Sequence, residues 1–141
     1  MKRDARFLAY KILNQFNEHN SKVDLIINEV FTKNIYDLRS RSRTIVIVND
    51  IMRFRGRIDI MIESVSGRKL KQINKQILSV LRLGFYEIVM DESVPDYAAV
   101  NSAVELANNV LNRKAVGFIN AILRKLTRQT NNGKWFNNLK D

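Results

Sequence analysis

The chain has 141 residues, an apolar fraction near the globular norm and no cysteine, so it can bury a core but has no disulfide, thiolate metal site or cysteine nucleophile. Its net charge of +10 is unusual for a small-molecule enzyme and common in proteins that bind a polyanion such as nucleic acid. A single histidine, His19, rules out histidine triads and multi-histidine metal sites, and no apolar run is long enough to span a membrane.

One proline and five glycines are too few for the turns of an all-β fold. Apolar residues instead recur at helical spacing almost throughout. Ala5, Leu8, Ala9, Ile12, Leu13 and Phe16 form a first stripe, and Val23, Ile26, Ile27, Val30 and Phe31 a second. Residues 45–52 are rich in β-branched side chains, yet Ile45, Val48, Ile51 and Met52 fit one helix face, predicting a helix from about Arg39 to Phe54. Gly56 is expected to turn the chain. A short helix through Ile58, Met61, Ile62 and Val65 should end at Ser66 and Gly67.

A long helix is predicted from Leu70 to Val89, apolar on several sides and therefore central. Gly84 inside it costs about 1 kcal/mol against alanine, which predicts close approach of another helix there. Pro95 suits the start of the next helix, and Asp96 lies where the helix dipole favours a carboxylate. Val100, Ala103, Val104, Ala107, Val110 and Leu111 form the sixth stripe. Ala115, Phe118, Ile119, Ile122, Leu123 and Leu126 form the seventh, and a loop is expected after Arg128. The fold class is thus all-α, with about seven helices. Residues 1–129 form the domain, and 130–141, with Trp135 and Phe136, form a tail or the start of a linker.

The charge is unevenly spread. Residues 83–112 hold five acids and no base, whereas residues 39–57 hold six arginines against one acid, Asp50. Residues 113–134 hold six bases and no acid. Arg39 and Arg43, Arg53 and Arg57, and Arg124 and Arg128 lie four apart, so each pair should share a helix face. Such pairs repel by a few tenths of a kcal/mol unless an anion offsets them, and the guanidinium fork suits phosphate. The candidate RNA-binding set is Lys2, Arg3, Arg6, Arg39, Arg43, Arg53, Arg55, Arg57, Arg124, Lys125 and Arg128. A competing reading pairs several of these with Asp50, Asp59 or Glu63.

Phe7, Phe16, Phe31, Phe85 and Phe118 fit the core, while Tyr10, Tyr36, Phe54 and Tyr97 are candidates for exposure. Glu87, Asp91 and Glu92 form a surface acidic cluster that reads as a solvated face more than a cation site. No glycine-rich phosphate loop is present, and nothing assembles a nucleophile, a base and an oxyanion stabiliser. The chain reads as non-catalytic, without cofactor, membrane association or signal peptide, and its lack of cysteine fits the cytoplasm.

Three segments carry a family likeness: Leu81 to Ile88 (LRLGFYEI), Val94 to Ala107 (VPDYAAVNSAVELA) and Gly117 to Arg124 (GFINAILR), with Arg53 to Asp59 (RFRGRID) beside them. Residues 3–128 resemble the NusB-like RNA-binding domain, most closely the version at the N-terminus of the RsmB (Sun, Fmu) ribosomal RNA cytosine methyltransferases. The resemblance implies an all-helical fold of two packed subdomains. It also implies RNA binding through a basic face that includes Lys2, Arg3 and Arg6. The leading expectation is a module that docks on ribosomal RNA beside a downstream methyltransferase domain. The alternatives are an antitermination factor binding leader RNA with the ribosomal protein NusE, and a helical protein-interaction module.

Overall fold

The computed structural model describes residues 3–19 and 22–131. These hold seven α-helices and no strand, as expected, and divide between two compact units, residues 1–53 and 54–141. The tail beyond residue 131, with Trp135 and Phe136, lies outside the described residues.

The first unit contains α1 (Ala5–His19), α2 (Val23–Lys33) and α3 (Leu38–Arg53). The Asp4 carboxylate accepts the Phe7 N–H at 2.9 Å and caps α1; Asp37 does the same for α3 through the Ser40 N–H at 2.7 Å. α1 packs against both α2 and α3. It buries Ala5, Leu8, Ala9, Ile12 and Leu13, and also Tyr10, which was a candidate for exposure. Tyr10 follows Ala9 on the buried side of the helix, and its hydroxyl does not keep it at the surface. α2 contributes Ile26, Ile27, Val30 and Phe31, with the Tyr36 ring edge-on to Phe31 at 4.8 Å. α3 presents Thr44, Ile47, Val48 and Ile51. Ile45 and Met52, placed on the apolar face by periodicity, are only half-buried. The buried Thr44 hydroxyl is satisfied by the Ser40 carbonyl one turn back, at 2.6 Å.

The chain turns at Phe54 (φ −101°, ψ 14°) and not at Gly56, which lies inside α4 (Arg55–Ser66) with open space where a Cβ would point. Gly67 does end α4 as expected. Its φ of +70° is the left-handed conformation that glycine adopts without strain, and its N–H donates to the Glu63 carbonyl at 2.9 Å.

The predicted helix from Leu70 is shorter than expected. Leu70–Gln72 form a single 3-10 turn, Ile73 is extended, and α5 spans Lys75–Val89. Asn74 sets this start, its side-chain oxygen accepting from the N–H groups of Gln76 and Ile77 at 2.8 and 3.2 Å. Every residue of α5 from Leu78 to Ile88 is buried, because α4, α6 and α7 all pack against it. Burying its large apolar side chains, Leu81 and Phe85 among them, contributes about 1.5–3 kcal/mol each.

α6 (Asp96–Val110) starts after Pro95. It packs through Ala99, Val100, Ala103, Leu106 and Ala107, while Val104 and Val110 stay partly exposed. α7 (Arg113–Asn131) is capped by Asn112, whose side-chain oxygen accepts the Ala115 N–H at 2.9 Å. It runs past Arg128, where a loop was expected, and Thr127 and Thr130 bond their hydroxyls to carbonyls one turn back within it. No described helix is long and apolar enough to cross a membrane.

Candidate nucleic-acid interface

In the first unit the proposed contacts fall into two groups. Arg3 is fixed by its backbone, its N–H donating to the Ile35 carbonyl at 2.7 Å, and its guanidinium lies 4.3 Å from the Phe7 ring centroid. Arg6 is half-buried and already engaged within the fold. Lys2 lies outside the described residues.

The second group is on α3. Arg39 and Arg43 stand one turn apart on an exposed face, with no acid in the first turn of the helix. Neither has an ion pair among the described residues, so no described acid is paired with either guanidinium to offset their mutual repulsion. Arg41 instead leans over Phe31, 5.5 Å from its centroid. Leu38 and Val46 are 79 and 56% exposed on the same helix, so the surface is amphipathic as well as cationic.

Arg53 and Arg57, placed on one helix by their spacing, belong to two different helices. Arg53 ends α3, the backbone turns at Phe54, and Arg57 belongs to α4. Arg55 is half-buried and engaged within the fold. The acids Asp59 and Glu63, proposed as internal partners, are occupied elsewhere. Asp59 takes a two-pronged ion pair from Arg82, at 2.9 and 3.0 Å, and Glu63 accepts the Leu70 N–H at 3.0 Å. The acidic trio does not gather either. Glu87 is buried in α5, Asp91 accepts from Ser93 in the following turn, and no group of metal-ligating side chains is found among the described residues.

In the second unit Arg124, Lys125 and Arg128 are all exposed on α7. Arg124 and Arg128 share a face, as predicted, and line a cleft of about 400 Å³ with Asp96, Tyr97, Val100, Asn101 and Thr127. Burial pushes the Asp96 carboxyl above the usual 3.8, opposing the dipole effect expected at that position.

A larger cleft, about 520 Å³, was not anticipated. Its lining includes Arg68, Gln72, Asn74, Lys114 and Phe118, gathered where the 3-10 turn, the start of α5 and the start of α7 meet. The Arg68 guanidinium sits 5.0 Å from the Phe118 centroid, and the ring is half-buried instead of lying in the core. Arg68 and Lys114 are 46 positions apart, so no local spacing could pair them. The available signal was Lys114 one helical turn before Phe118. Two cations, an aromatic face and several amides are a donor set suited to phosphate and an unpaired base.

Residues 3–128 match the family model described as the NusB family. The chain belongs to the NusB family. A relative from Acetivibrio thermocellus, named transcription antitermination protein NusB, is 33% identical over 130 residues, covering 90% of this chain and 88% of that protein. A probable ribosomal RNA small subunit methyltransferase B from Synechocystis is 28% identical over 130 residues, covering 92% of this chain but only 29% of that protein. The expected order of likeness is therefore reversed: the free-standing NusB relative is more similar than the methyltransferase.

Two solved structures share the fold. One, of the antitermination factors NusB and NusE in complex with dsRNA, aligns with a TM-score of 0.81 at 22% identity, covering 88% of this chain and 93% of that chain. T. maritima NusB aligns with a TM-score of 0.80, also at 22% identity, covering 92 and 94%.

Proposed function

We propose that this protein is a NusB-type transcription antitermination factor, binding a leader RNA jointly with a NusE-type ribosomal protein in the cytoplasm. The observation that carries this reading is the likeness to antitermination NusB over 88% of that protein's length. A solved structure of the same fold holds NusB in complex with both NusE and dsRNA. Residues 1–129 serve as the RNA-binding domain. Arg39 and Arg43 in the first unit, and Arg68 and Lys114 in the second, supply cations that the fold leaves exposed. Lys2, Arg3, Arg6, Arg53, Arg55, Arg57 and Lys125 belong to the same proposed set.

The methyltransferase-docking reading is supported only by the weaker match, in which the chain spans under a third of the relative. Titrating a leader RNA with this protein, with and without NusE, at several salt concentrations separates the readings. Joint binding predicts that NusE tightens RNA affinity by about 5- to 150-fold, and RNA tightens NusE affinity equally. RNA affinity indifferent to NusE would remove the antitermination reading. RNA binding that vanishes at physiological salt would favour a protein-interaction module.

A further inference from the structure

The cleft between α6 and α7 holds a combination of groups that helix packing does not require. Tyr97, in the first turn of α6, is 73% exposed. A tyrosine there gives up no apolar area to the core, so its ring is available on the cleft wall. Facing it from α7 are Arg124 and Arg128, one turn apart and both exposed. Among the described residues Asp96 is the one acid lining the cleft, and neither arginine has an ion pair with it or with any other described acid. Three side chains that ordinarily seek partners thus converge on one concavity. Asn101, with an exposed amide, completes its polar rim.

We infer that this cleft takes one unpaired nucleotide of an RNA strand, its base stacked on Tyr97 and its flanking phosphates held by Arg124 and Arg128. The inference rests on the RNA-binding reading above and names a subsite within it. An aromatic ring offers a flat apolar face that every base can use, and arginine forks match phosphate oxygens. The Asn101 amide and the Asp96 carboxyl, which line the same cleft, can donate to and accept from a base edge. A base paired within an A-form helix is stacked on its neighbours, and its face is not available to a side chain. The site therefore selects for loops, bulges and single strands. An acidic peptide would satisfy the arginines but leave the tyrosine face unused.

The test uses the full chain and a single-stranded RNA oligonucleotide carrying the fluorescent base 2-aminopurine. Stacking on Tyr97 should quench its emission on binding. Tyr97→Ala should abolish the quench and weaken single-strand affinity about 5- to 150-fold, whereas Tyr97→Phe should retain both. Arg124→Ala with Arg128→Ala should weaken the same binding and lower its salt dependence. Affinity for a duplex of the same composition should not respond to Tyr97→Ala. All these side chains are exposed, and thermal melts of each variant verify folding.

Single-strand binding unaltered by Tyr97→Ala, in a protein whose RNA affinity still falls with Arg39→Ala and Arg43→Ala, would overturn the subsite and leave the RNA-binding reading standing. A wild-type protein that binds no RNA would remove both. AMP binding as tightly as the oligonucleotide would overturn the claim for a strand in favour of a free nucleotide. A poly-glutamate peptide that binds in its place, and is lost with Arg124→Ala and Arg128→Ala, would overturn it in favour of an acidic protein partner.

Discussion

A Cβ placed on Gly84 would lie 2.8 Å from Leu123 Cδ2 and 2.9 Å from Leu123 Cδ1. Real Cβ atoms do not come so close, so the glycine is what lets α7 approach α5 at this level. Leu123 is fully buried, and its methyl groups have little room to retreat. Two effects then compete in Gly84→Ala. Helix propensity gains about 1 kcal/mol, while overpacking costs about 1–3 kcal/mol. The expected net result is a destabilisation of up to about 2 kcal/mol, read as a lower denaturant midpoint at unchanged m-value. Shortening the opposing side chain should relieve it. Gly84→Ala should cost less in a Leu123→Val background than alone, and equal costs in both backgrounds would show that the two residues do not compete for this space.

That close approach was legible in the sequence because glycine weakens a helix, and a tightly packed neighbour is the interaction that offsets the loss. Gly67 was legible at a helix end, where its freedom to take a positive φ matters. Gly56 misled because the residue that breaks the helix, Phe54, has no turn preference, yet it takes a bridge-region backbone. The pattern from Leu70 to Val89 ran through the break at Ile73 because a 3-10 turn carries apolar residues at spacings close to those of an α-helix. The spacing of the charges placed neighbours on one helix where they are local, as for Arg39 with Arg43 and Arg124 with Arg128. It failed where geometry is long-range: Arg82 and Asp59 are 23 residues apart, and Arg68 meets Lys114 only after the second unit has folded.

The Arg82–Asp59 pair is a structural element with a measurable cost. Both side chains are largely withdrawn from water, and the guanidinium meets both carboxylate oxygens. Asp59→Ala removes the two-pronged carboxylate partner of a buried guanidinium and should destabilise the protein by about 3–5 kcal/mol. A double replacement by apolar residues of similar volume, Arg82→Met with Asp59→Leu, should cost less than Asp59→Ala alone. Chemical denaturation of the two variants decides this, and a more stable Asp59→Ala variant would mean that the pair is not compensating buried charge.

Asp96 makes stability depend on pH in a direction opposite to that of most paired carboxylates. Burial raises its pKa, so the folded state holds the proton more tightly than the unfolded chain does. This favours the fold fully below the unfolded value of 3.8, and the benefit is lost as pH rises through the higher folded value. Measured against Asp96→Asn, the wild-type protein should therefore lose relative stability as the pH rises from below 3.8 through the raised folded value. Denaturant midpoints of both proteins across that range test it. A wild type that gains on the variant with rising pH would mean that the α6 dipole outweighs desolvation at this carboxylate.

Arg39 and Arg43 provide the most direct test of the proposed interface. They are exposed, one turn apart and unpaired among the described residues, so replacing them should leave the core intact. Relieving their mutual repulsion should raise stability by a few tenths of a kcal/mol in the absence of RNA. RNA affinity should move the other way. If each guanidinium neutralises one phosphate, the double change Arg39→Ala with Arg43→Ala should make the slope of log affinity against log salt shallower by about 1.4 on single-stranded RNA. A solvated face kept only for solubility would show the stability gain with no change in that slope. The opposite signs of the two effects separate a binding surface from a decorative one, because only a bound phosphate gives the protein something to lose when the repulsion is removed.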